Sequence, residues 1–175
     1  MDRMGFIRDK LSIKMLILFI LNRLPRPVPF DVLTELVIID DAISYFDYVE
    51  ALNELVESGH AILSDGRYSV TPKGSANSKV TESDIPYSVR LKAEKATLRE
   101  AREMRRNAMI DTTSEKRDDG SVTVHLGMAD TLGDIIRMDI LVGSDAQAET
   151  IKKRFRLSAE LLYNDIIELL MREHD

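Results

Sequence analysis

The sequence predicts an α+β fold in two parts, and three observations carry that prediction. First, Ser44 to Gly74 reads as a helix, a hairpin and a newly capped helix. Phe46, Val49, Leu52, Leu55 and Val56 recur at helical spacing, and Gly59 supplies the left-handed stop. His60–Leu63 and Tyr68–Val70 read as short strands joined by Ser64-Asp65-Gly66-Arg67, where Asp-Gly is a strong two-residue hairpin signal. Thr71-Pro72 then supplies an N-cap and a first helical residue. Second, two helix-period runs precede this stretch. Third, from Ile110 the apolar period changes from helical to two. The first two observations describe a winged helix-turn-helix domain over residues 1–80. The third describes an α-β-β-β-α domain over 81–175 with a three-stranded antiparallel meander.

In the first part, Asp9 to Leu24 is expected to be a core helix. Leu11, Met15, Leu16, Leu18, Phe19 and Leu21 make its apolar face wide, and Pro25 and Pro27 stop it. Basic Arg3, Arg8, Lys10 and Lys14 precede the apolar run Met15–Leu21, in the manner of a secretory signal. The run is far shorter than the ~20 residues of a membrane span and no small-residue cleavage site follows, so a buried helix is expected. Phe30 to Ile38 reads as the second helix, with Val32, Leu33, Leu36 and Val37 inward. Ile39-Asp40-Asp41-Ala42 reads as the turn, and the third helix opens near Ser44.

These residues also carry a resemblance. Leu52, Leu55, Val56, Glu57-Ser58-Gly59, Ile62 and Tyr68-Ser69-Val70-Thr71-Pro72-Lys73-Gly74 resemble the corresponding string of bacterial winged-helix regulators. Asp9-Lys10-Leu11, Tyr45-Phe46, Asn53-Glu54-Leu55 and Ile85-Pro86-Tyr87 make the chain similar, over most of its length, to an uncharacterised winged-helix family of Gram-positive bacteria, domain of unknown function 4364. That resemblance implies a transcriptional regulator with no known reaction.

In the second part, Ser75–Ser83 reads as a polar linker after a short fourth helix. A long helix is expected from Pro86 to about Asn107, with a thin stripe of Val89, Leu91, Leu98, Ala101, Met104 and Ala108. Arg90/Glu94 and Arg99/Glu103 stand at pairing distance along it. The meander follows, with Ile110, Thr112 and Ser114, then Val122, Val124 and Leu126, then Ile136, Met138 and Ile140 on one face. Arg117-Asp118-Asp119-Gly120 and the loop Ala129–Gly133 turn the chain. Ser144-Asp145 caps a last helix running to about Arg172, with Ile151, Phe155, Ala159, Leu162, Ile166 and Leu170 toward the sheet.

Composition narrows the function. The chain has no cysteine, which excludes disulfides, thiol catalysis and thiolate metal sites and fits a cytoplasmic protein. His60, His125 and His174 lack metal-ligand spacing, and no phosphate loop or nucleophile motif is present. No enzyme activity, metal or cofactor is therefore expected. Net charge is -6; nine basic residues stand against eleven acidic ones up to Val80, and fifteen against nineteen thereafter. A nucleic-acid surface must then be a local patch. In a winged helix the third helix reads the major groove, so Ser44, Tyr45, Tyr48 and Asn53 are expected base contacts, with Arg67 and Lys73 on phosphates. Asp47, Glu50, Glu54 and Glu57 on the same helix oppose this, because carboxylates repel phosphate. Two basic clusters, Arg99/Arg102/Arg105/Arg106 and Lys152-Lys153-Arg154/Arg156, read as solvated helix faces.

The expected function is a homodimeric regulator binding double-stranded DNA through residues 1–80. The second domain is expected to pair two copies, with room for an effector. The alternative is a non-enzymatic protein-interaction module on the same scaffold, which the acidic third helix favours.

Overall fold

The computed structural model describes residues 7, 9–39 and 43–172 and contains helices and two small antiparallel sheets. Arg3, Arg8, His174 and most of the Ile39–Ala42 turn lie outside the described residues. The chain divides into two compact units, Met1–Met104 and Arg105–Asp175.

The first unit is built on α1 (Lys10–Leu21). Asp9 caps it, accepting a 2.8 Å hydrogen bond from Ser12 N. Ile13 and every residue from Leu16 to Leu21 are buried, so this helix is apolar nearly all round and forms the centre of the core. Full burial of each such side chain contributes about 1.5–3 kcal/mol. Leu11, expected on the inner face, is exposed. The helix ends at Asn22, and the Arg23 guanidinium folds back over the Phe19 ring, 3.6 Å from its centroid.

The proline-rich stretch that follows holds an element the sequence reading omits. Val28–Pro29 is a two-residue strand, β1, paired with Tyr68 and Arg67. Proline lacks an N–H and is tolerated there because the strand is an edge. Helices α2 (Phe30–Val37) and α3 (Tyr45–Glu57) follow. On α3 the buried face is Tyr48, Ala51, Leu52 and Leu55; it has the expected period but is rotated, so that Phe46 points outward. Gly59, at φ +69°, closes α3: its N–H donates to Val56 O and His60 N–H donates to Leu55 O, the paired bonds of a Schellman stop.

Strands β2 (Ala61–Ser64) and β3 (Arg67–Val70) form the hairpin, giving the sheet order β1-β3-β2. Asp65 and Gly66 both have positive φ, as a two-residue hairpin turn matched to strand twist requires. Thr71 then caps α4, which runs from Pro72 to Thr81; Ser75–Thr81 is therefore helix rather than linker, and a 3-10 turn at Glu82–Asp84 follows. α5 spans Tyr87–Met109. Its buried stripe is Val89, Ala93, Thr97 and Ala101, four apart and small, while Leu91 and Leu98 of the expected stripe are exposed. Arg90, expected to pair with Glu94, instead donates to Glu82 O and sits over the Tyr87 ring. The sequence reading places the boundary between the two parts at residue 80; Val89 and Ala93 lie in the core of the first unit.

The second unit is a meander with a helix on one face. β4 (Ile110–Lys116), β5 (Val122–Asp130) and β6 (Gly133–Val142) pair antiparallel in the order β4-β5-β6. The register sets Val124 against Ser114 and Ile140, and Leu126 against Thr112 and Met138, which assembles a single apolar face. The Ala129–Gly133 loop shrinks to Thr131-Leu132, held by Asp130 Oδ1 accepting from the N–H groups of Leu132 and Gly133. α6 (Asp145–Met171) is capped by Ser144 and covers the sheet with Ala148, Phe155 and Ala159, with Ile151 and Leu162 partly buried. Leu170, expected inward, is exposed.

Candidate functional site

The exposed surface of interest lies where α3 begins. Five rings gather there. Phe30, the first residue of α2, lies 6.4 Å from Tyr45, 5.8 Å from Tyr48 and 6.3 Å from Tyr68 of the hairpin. Tyr45 in turn meets the Phe46 ring edge-on at 6.1 Å. The hairpin and the N-terminal turn of α3 thus rest on one ring, and the cluster fixes how both are presented. Within it, burial grades from 0% exposure at Tyr48 through 50% at Tyr45 to 82% at Phe46. At that exposure the Phe46 ring contributes little to the core. Sequence reading missed it because Phe46 also fits the helical period of the inner face.

The six residues singled out for DNA fall into two groups. Ser44, Tyr45, Asn53 and Arg67 are exposed. Ser44 occupies the N-cap position without a side-chain cap bond, so its hydroxyl is not used in capping the start of the helix. The other two, buried Tyr48 and exposed Lys73, are engaged within the fold. Tyr48 is fully buried and its hydroxyl lies 3.3 Å from Thr34 Oγ1; burial pushes its pKa up to about 12. It cannot reach a base, and the reason is the rotation of α3 noted above. Lys73 Nζ donates a 2.7 Å hydrogen bond to Ser58 O, at the C-terminal end of α3. There a cation complements the helix dipole and satisfies a terminal carbonyl.

The acidity of α3 is also redistributed. Lys10 Nζ lies 2.8 Å from Glu50 Oε1 and 3.0 Å from Glu54 Oε1, and Lys14 pairs with the other oxygen of Glu54. Hydrogen bonds from Lys14 and then Lys10 hold the Glu54 carboxyl below its ordinary value, and Glu50 and Glu54 raise Lys10. Two of the four carboxylates of α3 are therefore turned onto α1 and compensated. Asp47, in the first turn, and Glu57, in the last, stand outside this cluster.

A cleft of about 260 Å³ opens beside the C-terminal end of α3, lined by Leu11, Met15, Leu18, Leu55, His60 and Asn77 among others. His60 Nδ1 lies 2.8 Å from Ser58 Oγ, and partial burial followed by the charges of Lys73 and Lys14 lowers the His60 pKa. In the second unit, His125 and Asp139 face each other across β5 and β6 with Nδ1 2.7 Å from Oδ1, in a shallow polar hollow that Arg117 and Thr123 also line. Three members of the two basic clusters, Arg106, Lys152 and Arg156, are tied into the fold. Arg106 makes a bidentate pair with Glu160, 2.7 Å on each arm, and donates to Arg156 O. Lys152 and Arg156 donate to Ser114 Oγ and Thr112 Oγ1 of β4. Among the described residues, no three metal-donor side chains converge, and no helix is long and apolar enough to cross a membrane.

No curated protein and no solved structure is significantly similar to the chain. A family model does match, over residues 13–170, which takes in both units from α1 to the end of α6. The chain therefore belongs to the family described as Domain of unknown function (DUF4364).

Proposed function

We propose that the first unit is a winged helix-turn-helix and that the protein is a non-enzymatic, DNA-binding transcriptional regulator acting as a homodimer. The element order helix, strand, helix, helix, strand, strand, with the sheet order β1-β3-β2, supports the winged-helix reading. In such a domain α3 enters the major groove and the β2–β3 turn flanks it. The observation that carries the DNA reading is the pairing of Glu50 and Glu54 with Lys10 and Lys14. It sets two cations against half of the carboxylates that argued against a phosphate-facing α3. Ser44, Tyr45 and Asn53 are left to reach base edges, and Arg67 to reach phosphate.

Fluorescence titration against genomic fragments tests this. A specific fragment bound at ~150 mM salt at least ~10³-fold more tightly than random DNA supports it, and equal affinity for both defeats it.

One observation favours a protein partner instead. Phe46, 82% exposed at the start of α3, is an apolar side chain of the kind that buries against protein. Under that reading Phe46→Ala abolishes partner capture and the chain shows no preference among DNA sequences.

A further inference from the structure

The outer side of α6 carries an apolar pair that its own chain leaves bare. Leu157 is 72% exposed and Leu161 66%, although Phe155 and Ala159, their neighbours on the opposite side, are buried. The same face stays outward on both sides of Ser158, whose φ of -143° kinks the helix, because Ala148 and Phe155 before it and Ala159 after it all pack on the sheet. Charge flanks the pair asymmetrically. Lys153 and Arg154 lie about one turn before Leu157, and Asp165 and Glu168 lie one to two turns after Leu161; all four are exposed. Among the described residues none of these four takes an ion-pair partner within the chain, in contrast to Arg106 with Glu160 and Lys152 with Glu149.

We infer that this face of α6 pairs antiparallel with α6 of a second copy of the chain. An isologous contact requires a surface complementary to itself under a two-fold rotation. This face meets that requirement. Lys153 precedes Leu157 by four residues and Asp165 follows Leu161 by four, so a two-fold axis midway between the leucines sets Leu157 on the partner subunit's Leu161. The same operation sets Lys153 and Arg154 beside the partner subunit's Asp165. A parallel pairing would face Lys153 and Arg154 with their own copies and is disfavoured by like-charge repulsion. An unrelated acidic or basic partner would meet the wrong sign at one end of the seam.

This deepens the homodimer of the proposed function. It is tested on the full chain without DNA, so that a failure of DNA binding and a failure of the seam are separate results. Sedimentation equilibrium at about 50 μM is expected to give twice the 19.9 kDa chain mass. Leu157→Asp with Leu161→Asp is expected to give a monomer that keeps its fold, because both positions are exposed, with a melting temperature that no longer rises with protein concentration. Lys153→Glu raises the dimer Kd at least ~10-fold, and adding Asp165→Lys restores it. A monomeric wild type, a dimer that survives the double aspartate change, or a charge reversal that is not rescued overturns the inference.

Discussion

Lys10 of α1 and Glu54 of α3 meet at 3.0 Å, forty-four residues apart in sequence, and Lys14 closes on the same carboxylate. The contact lies at the surface, where such pairs contribute little to stability. Its consequence is electrostatic: the charge of α3 is set by lysines on a different helix. Replacing Lys10 and Lys14 by methionine uncovers Glu50 and Glu54. The expected result is weaker DNA binding, most marked at low salt, with the thermal midpoint nearly unchanged. Titration of the double variant at two salt concentrations checks this.

Tyr48 and Tyr45 stand three residues apart and are expected to behave oppositely. Tyr48→Ala empties a fully buried site and should cost about 3–5 kcal/mol of stability, and Tyr48→Phe, which removes only the hydroxyl near Thr34, about 0.5–1.5 kcal/mol. Tyr45→Ala should leave the fold standing and reduce DNA affinity. Urea melts and binding titrations of the three variants separate the two roles.

The same tyrosine predicts an alkaline transition. Its folded pKa of about 12 lies above the ordinary value of 10, so the folded state holds its proton over a range in which the unfolded chain has lost it. The stability from this group is complete below pH 10 and is lost as pH rises toward 12. Of the five tyrosines, Tyr48 should ionise last or only with unfolding, as followed by ultraviolet absorbance.

Gly74 occupies the joint between the hairpin and α4. A β-carbon there would lie 2.0 Å from His60 O, a backbone atom that cannot swing aside. Thr71 bonds the same carbonyl, which fixes it further. Gly74→Ala should therefore destabilise by at least about 1–3 kcal/mol, as overpacking does, and chemical denaturation measures it.

Thr97 presents the reverse case. Its hydroxyl is buried on α5 and, among the described residues, has no hydrogen-bond partner; Ala93 and Ala101 share its stripe. Thr97→Val keeps the shape and removes the unpaired group, so it should stabilise by about 1 kcal/mol or more. A raised denaturation midpoint with an unchanged slope is the expected reading.

Elements with a strong local signal were legible from the residues alone. The Asp65-Gly66 turn, the Thr71-Pro72 cap, the Gly59 stop and the alternation along Val122–Leu126 each stem from a backbone preference or a period, and the structure has all of them. The features missed depend on tertiary context. β1 is a strand only because β3 lies beside it, and the prolines just before it, Pro25 and Pro27, read as a helix stop. The rotation that buries Tyr48 and exposes Phe46 cannot be chosen by period, since both fit an amphipathic helix. α5 packs through small residues four apart, which a search for large apolar side chains overlooks. At the candidate site, sequence counts four carboxylates on α3 but not the lysines of α1 that meet two of them.

Sequencing of DNA recovered with the protein from cells tests the DNA-binding reading most directly, with the Tyr45→Ala/Arg67→Ala variant as control. The account predicts a small set of enriched sites sharing an inverted repeat, lost in the variant. Recovery spread evenly over the genome, or the same profile from both proteins, would contradict it.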